Sequence, residues 1–168
     1  MKKITVLFCI LFFLLSFGFF KTILAQQKEM DAILASGEGL FKMMKLKNYE
    51  RIWSHLTEKS KATIIDDTYK AIIKQGSTQE GKAYTKDEIK KDFQSGGTIA
   101  KAYWDSYLEN FDPDLILNQS SWKMGKIEGN KAEIIIQYKK AERPANLKMF
   151  KEGDIWKVGL EETFGTRK

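Results

Sequence analysis

The chain is poor in the side chains that do chemistry unaided. Its 168 residues include one cysteine, Cys9, one histidine, His55, and two prolines. Cys9 lies inside an apolar run and follows Phe8, whereas a lipid-modification signal needs a small residue there and a longer apolar stretch upstream. Disulfides, thiolate ligands and a cysteine nucleophile are therefore not expected. A single histidine without cysteines argues against a transition-metal site, and no spaced oxygen-ligand loop of the calcium type occurs, so neither metal nor cofactor is expected. No phosphate-cradling glycine loop follows a strand, and there is no internal repeat or low-complexity linker. The lysines are scattered among acids instead of forming a concentrated basic face, which argues against nucleic acid as a partner.

What is present begins with a leader. Lys2 and Lys3 precede seventeen uncharged residues, Ile4 to Phe20, and Ala25 is followed by Gln26, Gln27 and Lys28. That is the layout of a secretory signal over residues 1–25, and it places the remainder, residues 28–168, outside the cytoplasm as a periplasmic or secreted domain. A run of this length also suits an uncleaved anchor at residues 4–20, because roughly 17 to 25 apolar residues span a bilayer. Small Ala25 favours cleavage. The formal charge of +6 is partly a property of this leader: without Lys2, Lys3 and Lys21, 25 basic residues face 22 acidic ones, a balance of +3. About 143 residues then remain, enough for one domain with an ordinary hydrophobic core.

The first half of that domain has helical periodicity. Met30, Ile33, Leu34, Leu40, Phe41 and Met44 recur at three- and four-residue steps from Glu29 to Lys47. Gly37 and Gly39 interrupt this face and predict a close crossing or a kink, since glycine costs about 1 kcal/mol in a helix. A turn at Lys47-Asn48 leads to a short helix, Tyr49 to Leu56, and Thr57 caps the next, Glu58 to Gln75. Its stripe of Ile64, Ile65, Thr68, Tyr69, Ile72 and Ile73 faces a core. Residues 76–84 read as a loop. Thr85 and Glu88 form a capping box, a further helix carries Tyr103, Trp104, Tyr107 and Leu108, and Asp112-Pro113 ends it. Beyond Leu115 the period becomes two, with strands predicted around 121–126, 132–139, 146–151 and 156–161, separated by short turns. The expected class is α+β: helices packed on a curled antiparallel meander of about four strands.

This order resembles small exported bacterial members of the nuclear-transport-factor-2-like superfamily, also described as ketosteroid-isomerase-like or cystatin-like cones. The likeness is carried by Lys47-Asn48-Tyr49-Glu50 followed by Trp53, and by Leu147-Lys148-Met149-Phe150-Lys151-Glu152-Gly153-Asp154-Ile155-Trp156-Lys157-Val158, covering about residues 30–164. The resemblance implies a conical sheet around an apolar pocket. Some members of that superfamily use it for steroid or polyketide chemistry; many others only bind. Their catalytic sets, an aspartate base opposite tyrosine and acid donors or a histidine–aspartate pair, have no residue-by-residue match here.

Candidate site residues follow from the pattern. Trp53, Tyr69, Tyr103, Tyr107, Trp122 and Tyr138 fall on inward faces, where they either line an apolar ligand pocket or simply fill the core. His55, with Asp66, Asp67 or Asp105, is the candidate general base. Asp66-Asp67 and Glu161-Glu162 are paired carboxylates; a strand would send the latter two to opposite faces. The leading expectation is a non-catalytic binding module for an apolar small molecule or a protein partner. The alternative is an isomerase- or dehydratase-like enzyme with His55 or a buried aspartate as base, and a homodimer through the open sheet is a third expectation. Intact mass of the exported protein tests the leader: a mass starting at Gln26 is expected, and one starting at Met1 contradicts cleavage.

Overall fold

The computed structural model describes the backbone of residues 2–76, 78–79 and 82–165 and the side chains of residues 24–76 and 83–165. The apolar run 4–20, Cys9 and much of the leader therefore lie outside the side chains described. Elsewhere, among the described residues, no helix is long and apolar enough to cross a membrane. The chain divides into two compact units, residues 1–32 and 33–168. The first is helical, with Gln27 Nε2 donating to Asp31 Oδ1 one turn on, at 2.8 Å.

The elements follow the order α1 (Lys2–Lys45), α2 (Tyr49–His55), α3 (Glu58–Gln75), β1 (Thr78–Gln79), β2 (Lys82–Ala83), α4 (Lys86–Ser95), α5 (Thr98–Glu109) and α6 (Pro113–Asn118). The second half comprises β3 (Ser120–Glu128), β4 (Lys131–Tyr138), β5 (Ala145–Glu152), β6 (Ile155–Gly159) and α7 (Leu160–Phe164). Strands β3-β4-β5-β6 form an antiparallel meander in that order, not closed into a barrel. The protein is an α+β fold of helices followed by this sheet.

Local chemistry accounts for most boundaries. Asn48 Oδ1 accepts from Arg51 N at 3.1 Å and starts α2; Thr57 Oγ1 accepts from Ser60 N at 3.0 Å and starts α3. Left-handed Gly76 and Gly96, at φ 66° and 65°, terminate α3 and α4. The Thr85–Glu88 capping box is present in both directions. Gly97 offers α5 no side-chain cap, so Asp92 from α4 does so instead, its Oδ1 accepting from Ala100 N at 2.8 Å.

Three readings of the sequence are corrected. The 76–84 loop contains the two-residue strands β1 and β2, which pair antiparallel. Asp112-Pro113 does end α5, but it also begins α6: Asp112 Oδ1 accepts from Asp114 N at 2.8 Å, and proline suits the first helical position. The last strand stops at Gly159 instead of running on to Glu161, because Leu160 opens α7.

The core lies between the helices and one face of the sheet. Ile33, Leu40, Phe41 and Met44 of α1 are buried, as are Ile134 and Ile136 of β4, Leu147 and Met149 of β5, and Trp156 and Val158 of β6. Gly37 lets α1 approach the sheet; a Cβ there would stand 2.6 Å from Ile134 Cδ1. A bulge between Met124 and Ile127 returns Ile127 to the covered face of edge strand β3, where it packs on the core. The opposite face carries Lys123, Glu133, Lys148 and Lys157, with Ile155 exposed.

A polar seam joins the C-terminal β6–α7 turn to the junction of α2 and α3. Thr57 N donates to Val158 O at 3.0 Å, making a parallel bridge between Leu56 and Val158 beside the edge of β6. Glu162 accepts from Thr57 Oγ1 at 3.0 Å and Ser60 Oγ at 2.5 Å, while Ser60 Oγ accepts from Glu161 N at 3.1 Å. Thr57 and Ser60 are buried, so Glu162 satisfies two hydroxyls that water barely reaches, beside the positive end of α3. Glu162→Ala is expected to lower unfolding stability in urea by about 2 kcal/mol without changing the denaturant slope. A loss under about 0.5 kcal/mol, the level of an ordinary surface substitution, would contradict the seam.

Candidate functional site

An uninterrupted line of aromatic rings runs through the core. Trp53 lies 4.7 Å from Phe93, Phe93 5.4 Å from Tyr103, Tyr103 5.0 Å from Trp104, and Trp104 5.6 Å from Tyr107. Tyr107 continues to Phe111 at 5.4 Å, Phe111 to Phe41 at 5.7 Å and Phe41 to Trp122 at 5.7 Å. Several pairs meet edge to face, the arrangement favoured by the ring quadrupole. Trp53 and Trp104 are buried. The line reaches open space at Tyr103 and Tyr107.

Those two tyrosines line a cleft of about 610 Å³ between α3 and α5. On α3 successive lining residues are alternately one and three apart, including Thr68, Ala71 and Ile72; α5 repeats the spacing with Ile99, Ala102 and Tyr103. Each helix thus offers one stripe to the cleft. Helix α4 packs on both, burying Ile89 and Phe93. Ala71 and Ala102 leave space where larger side chains would meet. Tyr84, in the staple position immediately before the α4 cap, adds a third tyrosine to the lining.

The polar groups of the cleft are mainly neutral. Burial, followed by the field of Glu161, raises the phenols of Tyr103 and Tyr107 well above the ordinary tyrosine value, so both stay protonated at neutral pH. Burial, and then the nearby charges of Asp67 and Glu162, also raises the Glu161 carboxyl. Asp67 lines the cleft and pairs with Lys70 at 3.3 Å, both well exposed. Thr68 is 9% exposed, and its Oγ1 has no hydrogen-bond partner among the described residues.

The other candidates are dispersed. Trp53 is core; Trp122 is half-buried, and its Nε1 donates to Ile116 O at 3.1 Å. Tyr69 is half-buried beneath Lys86, whose Nζ stands 5.7 Å from the ring centre. Tyr138 ends β4 opposite Ser120. His55 packs on α1, where a Cβ on Gly39 would lie 2.8 Å from its Nε2, and its Nδ1 is 2.7 Å from Arg51 O. Its proposed carboxylate partners are engaged elsewhere: Asp66 with Lys86 at 2.6 Å, and Asp105 with Lys47 at 2.9 Å and Tyr49 Oη at 2.8 Å. Glu161 and Glu162 lie on α7, not on a strand, so their separation does not follow strand alternation. Among the described residues no group of three histidine, cysteine or acidic side chains is placed to hold a metal.

The chain matches no protein-family model, no curated protein and no solved structure.

The pH behaviour of the tyrosines tests the cleft electrostatics. A raised phenol pKa leaves stability intact below the unfolded value of about 10 and lowers it as the pH climbs toward the folded value. Near pH 11, with the fold still intact by circular dichroism, Tyr107→Phe is expected to leave the phenolate absorbance unchanged. A fall in that signal on removal of Tyr107 would contradict the assignment.

Proposed function

We propose that this protein is an exported, non-catalytic binding module of the nuclear-transport-factor-2-like type, whose α3–α5 cleft takes an apolar small molecule. The observation carrying the proposal is the cleft itself: about 610 Å³, within the usual range for small-molecule sites, with aliphatic and aromatic walls and a few polar groups. Neutral Tyr103 and Tyr107 supply hydroxyls without the desolvation cost of a charge, and Thr68 adds another near the wall. The basic start and apolar run of the leader support export.

An isomerase- or dehydratase-like reaction has less support. His55 does not line the cleft, and Asp67 is well exposed and ion-paired, unlike the desolvated carboxylate that base catalysis calls for.

N-phenyl-1-naphthylamine, a neutral apolar fluorophore, provides the test. Saturable fluorescence enhancement is expected, and Ala102→Trp should weaken it at least tenfold by filling the cleft. Ala102 is exposed, so this substitution should change stability by no more than about 0.5 kcal/mol. Undiminished binding to a folded Ala102→Trp protein would rule out the cleft as the site.

A further inference from the structure

The cleft's lining also carries information about the charge of its ligand. Tyr84, Tyr103 and Tyr107 bring three aromatic rings to one cavity, and the ring face attracts an ammonium group within about 6 Å. Asp67 is the one ionisable acid or base in the lining among the described residues apart from the tyrosines. Its partner Lys70 is held at 3.3 Å in an exposed pair of the kind that contributes little, so a ligand cation can take that place.

The surrounding charges have the same sense. Glu161 and Asp67 both act on Tyr103, and Glu161 acts on Tyr107. Of the nearby cations, Lys86 is bound to Asp66 at 2.6 Å and Lys101 acts on Asp105. Lys74 is an exposed residue of α3 outside the lining. An anionic head group would meet Asp67 with no lysine or arginine in the lining among the described residues to neutralise it. Ile72, Ile99 and Ala102 provide the wall for an alkyl chain.

We infer that the cleft selects cationic amphiphiles, an alkylated ammonium head joined to an alkyl tail, over neutral and anionic amphiphiles of the same length. The head lies among the tyrosine rings beside Asp67, and the tail lies along the aliphatic wall. This inference rests on the reading of the cleft as a binding site and adds the charge class of its ligand. It runs against the net positive charge, +6 with the leader and +3 without it, which would draw anions to the surface non-specifically.

Calorimetric titration of the full chain with decyltrimethylammonium, 1-decanol and decyl sulfate, each below its micellar or solubility limit, tests the selection. The cation is expected to bind at least tenfold tighter than the alcohol, with the sulfate weakest. Asp67→Asn should remove most of that advantage; Tyr84→Leu, in the segment before α4, should also reduce it. Ala102→Trp should abolish the cation's binding, which separates the cleft from the apolar leader. Decanol binding in the cleft with no preference for the cation, or a preference untouched by Asp67→Asn, would overturn the selection and leave the binding site standing. Failure of all three amphiphiles to bind in a cleft-dependent manner would overturn both.

Discussion

The bond from Thr57 N to Val158 O, together with the grip of Glu162 on Thr57 and Ser60, fixes the geometry on which the rest of the molecule depends. It joins elements about a hundred residues apart in sequence. It lays the α2–α3 junction beside the outer edge of β6, and it satisfies the hydroxyls at the start of α3 with the Glu162 side chain of α7. Neighbouring contacts reinforce it: Lys157 Nζ donates to Ser54 O at 2.6 Å, and Glu58 N donates to Glu152 Oε1 at 2.9 Å. The α7 turn also serves the sheet, because Thr163 Oγ1 accepts from Lys148 N at 2.9 Å where β6 has ended. Buried hydroxyls lose water on folding and need such partners, so the seam is specific where hydrophobic packing alone would tolerate sliding.

With α3 held at its first turn, its apolar stripe divides into two uses. Ile64, Ile65 and Thr68 are buried, whereas Ile72 is half-buried and Ile73 is 47% exposed. The stripe continues beyond the part that the core covers, and its later turns form one wall of the cleft. The aromatic line supplies the other wall through Tyr103 and Tyr107. Rings that stabilise the interior on one side therefore also line the cleft on the other, and packing against Trp104 and Phe111 limits their freedom. A site built from helices and supported by core rings is preorganised in this sense.

Much of this was legible from local chemistry. Asn48, Thr57 and Thr85 cap the helices their neighbours' periodicity predicts, and Gly37 and Gly39 occur where α1 meets Ile134 and His55. The missed elements have physical causes. Asp112-Pro113 terminates one helix and initiates another with the same two residues. Trp156, Val158 and Leu160 keep strand alternation through a residue that is already helical, and only the distant Ser60 hydroxyl and the Glu162 contacts reveal why the chain turns. For the site, Tyr103 and Tyr107 were found because their spacing put them on one helix face. Whether inward rings are core or lining depends on the separation of α3 from α5, which the intervening α4 governs. Ala71 and Ala102 carry no signal in isolation; they matter because they leave room.

The most direct measurement of the central claim, that the α3–α5 cleft is the binding site and its tyrosines face the ligand, is an isotope-filtered nuclear Overhauser experiment on ring-labelled tyrosines with bound decyltrimethylammonium. The account predicts cross-peaks from the N-methyl protons to the rings of Tyr84, Tyr103 and Tyr107, and none to Tyr49 or Tyr138. Cross-peaks confined to Tyr49 or Tyr138, with the three cleft rings silent, would contradict it.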